Sequence, residues 1–275
     1  MPPGSKPRSS HVKLRVACRA IGALMALATA LPAAALTIGV SVSATGPGAA
    51  LGVPYRNAAL LLPDTLGGQH VDYVILDDAS DASVAARNAQ KLVSEDKADV
   101  VIGSALTPTS LAMVDILSAA KTAQLVLAPI DVPAAKRVWV FVVPQPVPLM
   151  VDGIVQQMKR SGVRSVGYIG FRDPLGDVIE NALAAATARE GVALVSRERY
   201  ARTDTSVLPQ VLRLMAARPD AAFIGAAGTP GALPMCSSWS RASRAPSTII
   251  TAMWWATSSA SEARRWRARS PRLVR

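Results

Sequence analysis

Short runs of β-branched and other apolar residues alternate along this chain with longer stretches whose apolar positions recur at helical spacing. The short runs predict strands over Leu36 to Val42, Val71 to Leu76, Val100 to Ile102, Leu125 to Ala128, Val138 to Val143, Ser165 to Gly170, Ala193 to Tyr200 and Ala221 to Gly225. Between most of them the pattern predicts helices over Leu51 to Leu62, Ser80 to Glu95, Ser110 to Thr122, Leu149 to Ser161, Gly176 to Glu190 and Val207 to Ala217. Strands alternating with helices imply an α/β fold in which parallel sheets are covered on both faces.

The alternation breaks at Pro144-Gln145-Pro146-Val147-Pro148. Three prolines in five residues neither continue a strand nor start a regular helix interior, so an extended, stiff segment is expected here. We read 144–148 as a hinge crossing between a first α/β lobe, 36–143, and a second, partial lobe, 149–235. A loop within one sheet is the alternative.

The two ends follow different rules. Lys6, Arg8, Lys13, Arg15 and Arg19 precede an uncharged apolar stretch from Ala20 to Leu31, and Ala33-Ala34-Ala35 offers small residues to a signal peptidase. Residues 1–35 are therefore expected to be a secretory signal cleaved after Ala35. An uncleaved anchor is the alternative, although the apolar run is short for a hydrocarbon layer of about 30 Å. Residues 236–275 hold four of the five Trp, nine Ser and eight Arg, without helical or strand periodicity.

Charge sharpens this division. The 275-residue chain carries a formal +11, which by itself suggests nucleic acid or an anionic membrane as partner. Five of the basic residues belong to the signal and eight to the tail, while the body between them has 17 basic and 18 acidic residues. A basic groove for nucleic acid is therefore not expected in the folded part. Cysteine is confined to Cys18 and Cys236, so an exported body would depend on its core rather than on disulfides.

Catalytic sets are hard to assemble from the remaining residues. The histidines are His11, in the signal, and His70, at the entry to a strand, which leaves no triad and little for zinc. Asp77, Asp78 and Asp81 read as a solvated helix entry, with Asp81 suited to the helix dipole. No Tyr has a Lys four residues on. The turn Thr45-Gly46-Pro47-Gly48 followed by Asp77-Asp78 echoes a dinucleotide fold, but its glycine spacing is wrong and Pro47 removes a donor. Binding is the stronger class. The segment Gly103-Ser104-Ala105-Leu106-Thr107-Pro108-Thr109-Ser110 leaves a strand and opens a helix, and its free amides would favour a carboxylate. Plain N-capping by Thr109 or Ser110 is the alternative.

These residues carry a family likeness. Thr45-Gly46-Pro47 with Leu51-Gly52, Asp77-Asp78 to Asp81, Ala85 with Asn88-Ala89 and Lys91-Leu92, Asp99 to Gly103 and Ser110-Leu111-Ala112 resemble the periplasmic substrate-binding proteins of branched-chain amino acid ABC transporters. The resemblance runs from about Leu36 to Leu233. It implies two Rossmann-like lobes with a hinge, no catalysis, a periplasmic location, a small-molecule ligand, and an ABC permease in the inner membrane as partner. It further implies that the ligand carboxylate meets the hydroxyl and amides near Thr107, Thr109 and Ser110, and its ammonium the carbonyl of Ala128.

Where that family has a second hydroxyl this chain has Ile130, and the family's two aromatic positions fall on Leu51 and Leu175. The cleft is accordingly expected to be more apolar and to suit a small carboxylate or weakly polar ligand better than leucine, whose ammonium would lack partners. The tail departs from the family altogether. Its Arg, Ser, Ala and Trp content is what a GC-rich coding strand yields out of frame, and the chain reads as shifted or truncated after about residue 235; a genuine basic tail is the alternative. Two other function classes stay open at this level. One is a ligand sensor of the same fold serving a regulator, and the other a secreted NAD(P)-dependent oxidoreductase.

Overall fold

A computed structural model describes residues 35–239. The expected signal up to residue 34 and all but the first residues of the tail lie outside them. The first sheet opens with β1 (Leu36–Val42), whose β-branched residues are almost all buried. A single turn of 3-10 helix at Gly46–Gly48 leads into α1 (Ala49–Ala59), and a two-residue strand β2 (Thr65–Leu66) turns back antiparallel onto β3 (Gln69–Asp77). Then follow α2 (Ala82–Ser94), β4 (Val100–Gly103), α3 (Thr107–Ala119), β5 (Ala123–Val126) and β6 (Val140–Val142). The strand order is β2-β3-β1-β4-β5-β6, parallel except for β2.

Helix α2 shows how sequence makes this layer. Asp81 caps it by accepting from the amides of Ser83 at 2.8 Å and Val84 at 2.9 Å, which fixes where it starts. Ala85, Ala89 and Leu92 then fall on one face and are fully buried. Leu92 lies against Gly39 of β1, where a Cβ would come within 2.8 Å of its Cδ2, so the bare backbone is what lets the helix approach. Burial of a leucine side chain of this kind contributes about 1.5–3 kcal/mol.

The chain leaves the first sheet after β6 and enters the second through α4 (Val147–Arg160). The proline segment is shorter than the sequence suggests. Pro146 is the residue before the helix and Pro148 lies in its first turn, where a missing N–H breaks no helical bond. The second sheet holds β7 (Ser165–Phe171), β8 (Ala193–Tyr200) and β9 (Ala221–Gly225) in the parallel order β8-β7-β9, interleaved with α5 (Pro174–Glu190) and α6 (Leu208–Ala216). A short helix α7 (Leu233–Trp239) closes the described chain. The core of this half is continuous, built on Tyr168, Phe171, Tyr200 and Phe223, all fully buried. Tyr168 donates to the Gly176 carbonyl at 3.1 Å and Tyr200 to the Pro230 carbonyl at 3.0 Å. Burial raises the phenol pKa of both.

Two parallel sheets, each flanked by helices, give the α/β architecture expected from the alternation of runs. The two halves touch through α3 and α5, and through the Gly46–Gly48 and Thr229–Ala232 turns.

Candidate functional site

In an open parallel sheet the loops that follow the strands' carboxyl ends converge on one rim, and ligands bind there. Both sheets turn this rim toward the same cleft, which has about 450 Å³ of empty space, part of it open to solvent. Leu51 comes from the segment after β1, Ala105 to Thr107 from that after β4, and Leu127 to Pro129 from that after β5. Pro144 follows β6 and Met150 lies on α4; Leu175, Arg202 and Ala227 follow β7, β8 and β9. Of the twelve lining residues only Thr107 and Arg202 have polar side chains.

The first wall is the amino end of α3. This helix starts at Thr107, three residues earlier than expected, because Pro108 sits in the first turn. Leu106 is the residue before it and supplies no side-chain cap; Pro108 has no N–H and the Ser110 amide donates to the Leu106 carbonyl at 2.9 Å, so the amides of Thr107 and Thr109 are the first-turn donors left for a ligand. The Thr107 hydroxyl donates to the Pro129 carbonyl at 2.9 Å, which ties α3 to the segment after β5. Thr109 and Ser110 are fully buried and turned away from capping. The Thr109 hydroxyl donates to Ser104 Oγ at 2.8 Å, while Ser110 Oγ accepts from the Ser104 amide at 3.1 Å and donates to its carbonyl at 3.0 Å.

Beneath this loop lies a carboxylate that the sequence reading placed in solvent. Asp78 is fully buried. It accepts from the Ser43 hydroxyl at 2.7 Å and the Ser80 amide at 3.0 Å, takes a short hydrogen bond from Ser104, and has Ser41 at 3.4 Å. The solvated-entry expectation fails for Asp78 because these donors replace its water; it holds in part for Asp81, the exposed cap of α2. Asp77 is committed as well, accepting from the amides of Ala44 at 2.9 Å and Ala79 at 2.8 Å and from the Thr45 hydroxyl at 2.7 Å. Burial opposes its ionisation, but the Thr45 hydroxyl and the amides of Ala79, Thr45 and Ala44 outweigh that and keep its pKa below the usual carboxylate range. With the Gly48 amide also donating to Ser80 Oγ at 2.9 Å, the first glycine turn has spent donors that a pyrophosphate would require.

The second wall carries Arg202, which the sequence reading did not single out. It stands two residues past the end of β8, and that position at a strand's carboxyl end is the signal that could have found it. Its guanidinium lies 3.9 Å over the Phe171 ring, and its Nε donates to Asp173 at 2.5 Å. Asp173 in turn accepts from the Gly176 amide at 3.1 Å at the start of α5. The Arg202 side chain is 11% exposed, and its Nη2 is buried without a hydrogen-bond partner.

Of the residues expected to meet ligand, the cleft brings together Thr107, Ala128, Leu51 and Leu175. Ile130 instead packs against the cluster formed by Val114, Val126, Ala128, Val132 and Val140. Thr109 and Ser110 lie behind the wall and shape it. Leu127, Pro129, Pro144, Met150 and Ala227 complete the apolar lining and carry no pattern in sequence that marks them as such.

Comparison with known proteins agrees with this geometry. The model of the family described as periplasmic binding protein matches residues 35–264, a range that continues past the point where the residue-by-residue likeness ends. An extracellular ligand-binding receptor from Rhodopseudomonas palustris HaA2 is 42% identical with a TM-score of 0.75, over 78% of this chain and 60% of that one. A solute-binding protein of an ABC transporter from R. palustris, solved in complex with 4-hydroxybenzoate, has a TM-score of 0.71 at 20% identity, over 78% of this chain and 61% of that one. A leucine binding protein from Thermotoga maritima MSB8 has a TM-score of 0.63 at 21% identity, over 70% and 56%. Comparison with curated proteins finds no match. The chain spans about three fifths of the length of these solved structures. Among the described residues no helix is long and apolar enough to cross a membrane. With its two parallel sheets sharing one cleft at their carboxyl rims, and with the family match over most of its length, the chain belongs to the periplasmic binding protein family.

Proposed function

We propose that this chain captures a small carboxylate with an apolar body between its two lobes and delivers it to an ABC permease from the periplasmic side. The observation that carries the reading is the uncapped amino end of α3 on an otherwise apolar cleft. A carboxylate placed there meets orphan amides and the positive end of the helix dipole, while the solute body replaces water against Leu51, Leu106, Met150 and Leu175. No acidic side chain lines the cleft, so the ammonium of an unmodified amino acid would enter it without a counter-charge. This favours a simple acid over leucine. The R. palustris fold relative with bound 4-hydroxybenzoate supplies a probe of this chemical class.

Titration calorimetry tests the reading. Benzoate or 4-hydroxybenzoate is expected to bind at least tenfold more tightly than leucine, and leucine binding more tightly than either acid would refute it. Export through a cleaved signal belongs to the same proposal, and a mature protein starting at Leu36 in a periplasmic extract supports it. The frame reading of residues 236–275 is a separate proposal, set against a family match that runs to residue 264, and resequencing across the codons for residues 230–240 would confirm or remove it.

A further inference from the structure

Among the described residues the buried side-chain atoms without a hydrogen-bond partner are Ser118 Oγ, Gln124 Oε1, Gln210 Oε1 and Arg202 Nη2, and of these residues only Arg202 lines the cleft. Arg197, Arg199, Asp177 and Glu180 are paired with one another between α5 and β8, and the Asp78 cluster is internally satisfied. Arg202 is different. It borders the cleft, its plane is fixed by Phe171 on one side, and its Nε is taken by Asp173. Its Nη2 is nonetheless shut off from solvent with no acceptor. An arginine that served only to brace Asp173 would place its remaining donors in water or on carbonyls, since a buried donor without a partner is destabilising.

We infer that Arg202 is the ligand anchor of the second lobe, and that its Nη2 takes an anionic oxygen of the bound solute. The inference rests on the carboxylate reading above and extends it. Asp173 balances the charge of Arg202 in the empty protein, and the donor left over matches a carboxylate oxygen. The solute is then held from both lobes, by the amino end of α3 on one wall and by Arg202 on the other. Neutral analogues lose the charge-assisted bond, and ammonium groups are repelled from that wall. The class selected is a small apolar acid, with acid discriminated from its amide mainly through Arg202.

The test compares the full chain with Arg202→Met and Arg202→Lys, using benzoate, 4-hydroxybenzoate and the corresponding amides. Arg202→Met is expected to weaken acid binding by about 10- to 150-fold, the range for a lost hydrogen bond to a charged group, while amide binding changes less than threefold. Arg202→Lys keeps a cation beside Asp173 and the melting temperature, yet lacks the second fork nitrogen and is expected to stay well below the parent in acid affinity. Equal losses for acid and amide, or unchanged acid binding in Arg202→Met, would overturn the inference while leaving the α3 site intact. A parent chain that binds neither acid overturns both readings.

Discussion

Replacing Asp78 with alanine tests whether the ligand-facing loop is braced from below. The carboxylate is fully buried and accepts from Ser43 at 2.7 Å, from the Ser80 amide at 3.0 Å and from Ser104. Alanine strands these three donors in the interior, at about 1–3 kcal/mol each. One pairing can be recovered, because Ser43 Oγ and Ser104 Oγ already lie 3.5 Å apart and a hydroxyl can rotate. Removing a buried charge also returns some desolvation energy. The net expectation is a loss of about 3–5 kcal/mol of stability in the first lobe. Asp78→Asn keeps the volume and one acceptor oxygen and should lose only about 1–2 kcal/mol.

Urea unfolding followed by circular dichroism separates the two variants, with solute affinity as a second readout. Ser104 Oγ accepts from the Ala105 amide at 2.6 Å, so loosening it should also weaken acid binding at α3. A loss below about 0.5 kcal/mol for Asp78→Ala, or equal losses for the two variants, would refute the bracing argument.

Two further outcomes follow from the same contacts. At Gly176, in the first turn of α5, an added Cβ would lie 1.8 Å from the Phe171 carbonyl oxygen, so Gly176→Ala should lower stability by about 1–3 kcal/mol in urea titration. In acid, three carboxylates set the direction. Asp77 is held low by the balance already described, Asp81 by the amide of Val84 above all and then that of Ser83, and Asp220 by the amide of Arg164 and then the hydroxyl and amide of Ser165. Each pKa is lower folded than unfolded, so their contribution is complete above an ordinary aspartate value of about 4 and is lost as pH falls through the depressed values. Stability measured from pH 6 to pH 2 should decline chiefly below about pH 4, and Asp77→Asn should flatten the decline.

Much of this architecture is visible in the sequence because parallel strands buried on both faces leave plain apolar runs. Leu36–Val42 and Ala221–Gly225 have the bounds of those runs, while the edge strand Ala193–Tyr200, which carries Arg197, Glu198 and Arg199 and is mostly half-exposed, is marked by the residues that flank it. Two helix starts shift for a common reason, because Pro108 and Pro148 both sit in the first turn of a helix that simple breaker logic starts later. The short β2 hairpin through Gly67 and Gly68 escapes because two residues make no periodicity.

The site divides along the same line. Thr107 and Ala128 could be placed through family likeness, since local motifs carry them to the rim. Asp78 and Arg202 could not, because their roles arise from residues 20 to 40 positions away or from the far side of a sheet. A carboxylate looks alike in sequence whether serines from β1 and the loop after β4 surround it or water does. An arginine gives no local sign that Phe171 and Asp173 will fix its plane and leave one nitrogen unpaired.

The most direct test of the account is a crystal structure of the protein grown with saturating 4-hydroxybenzoate. It should show the acid in the cleft, with a carboxylate oxygen about 2.7–3.1 Å from an amide of the first turn of α3 and an anionic oxygen at similar distance from Arg202 Nη2. An empty cleft, or the acid bound with its oxygens toward neither wall, would contradict it.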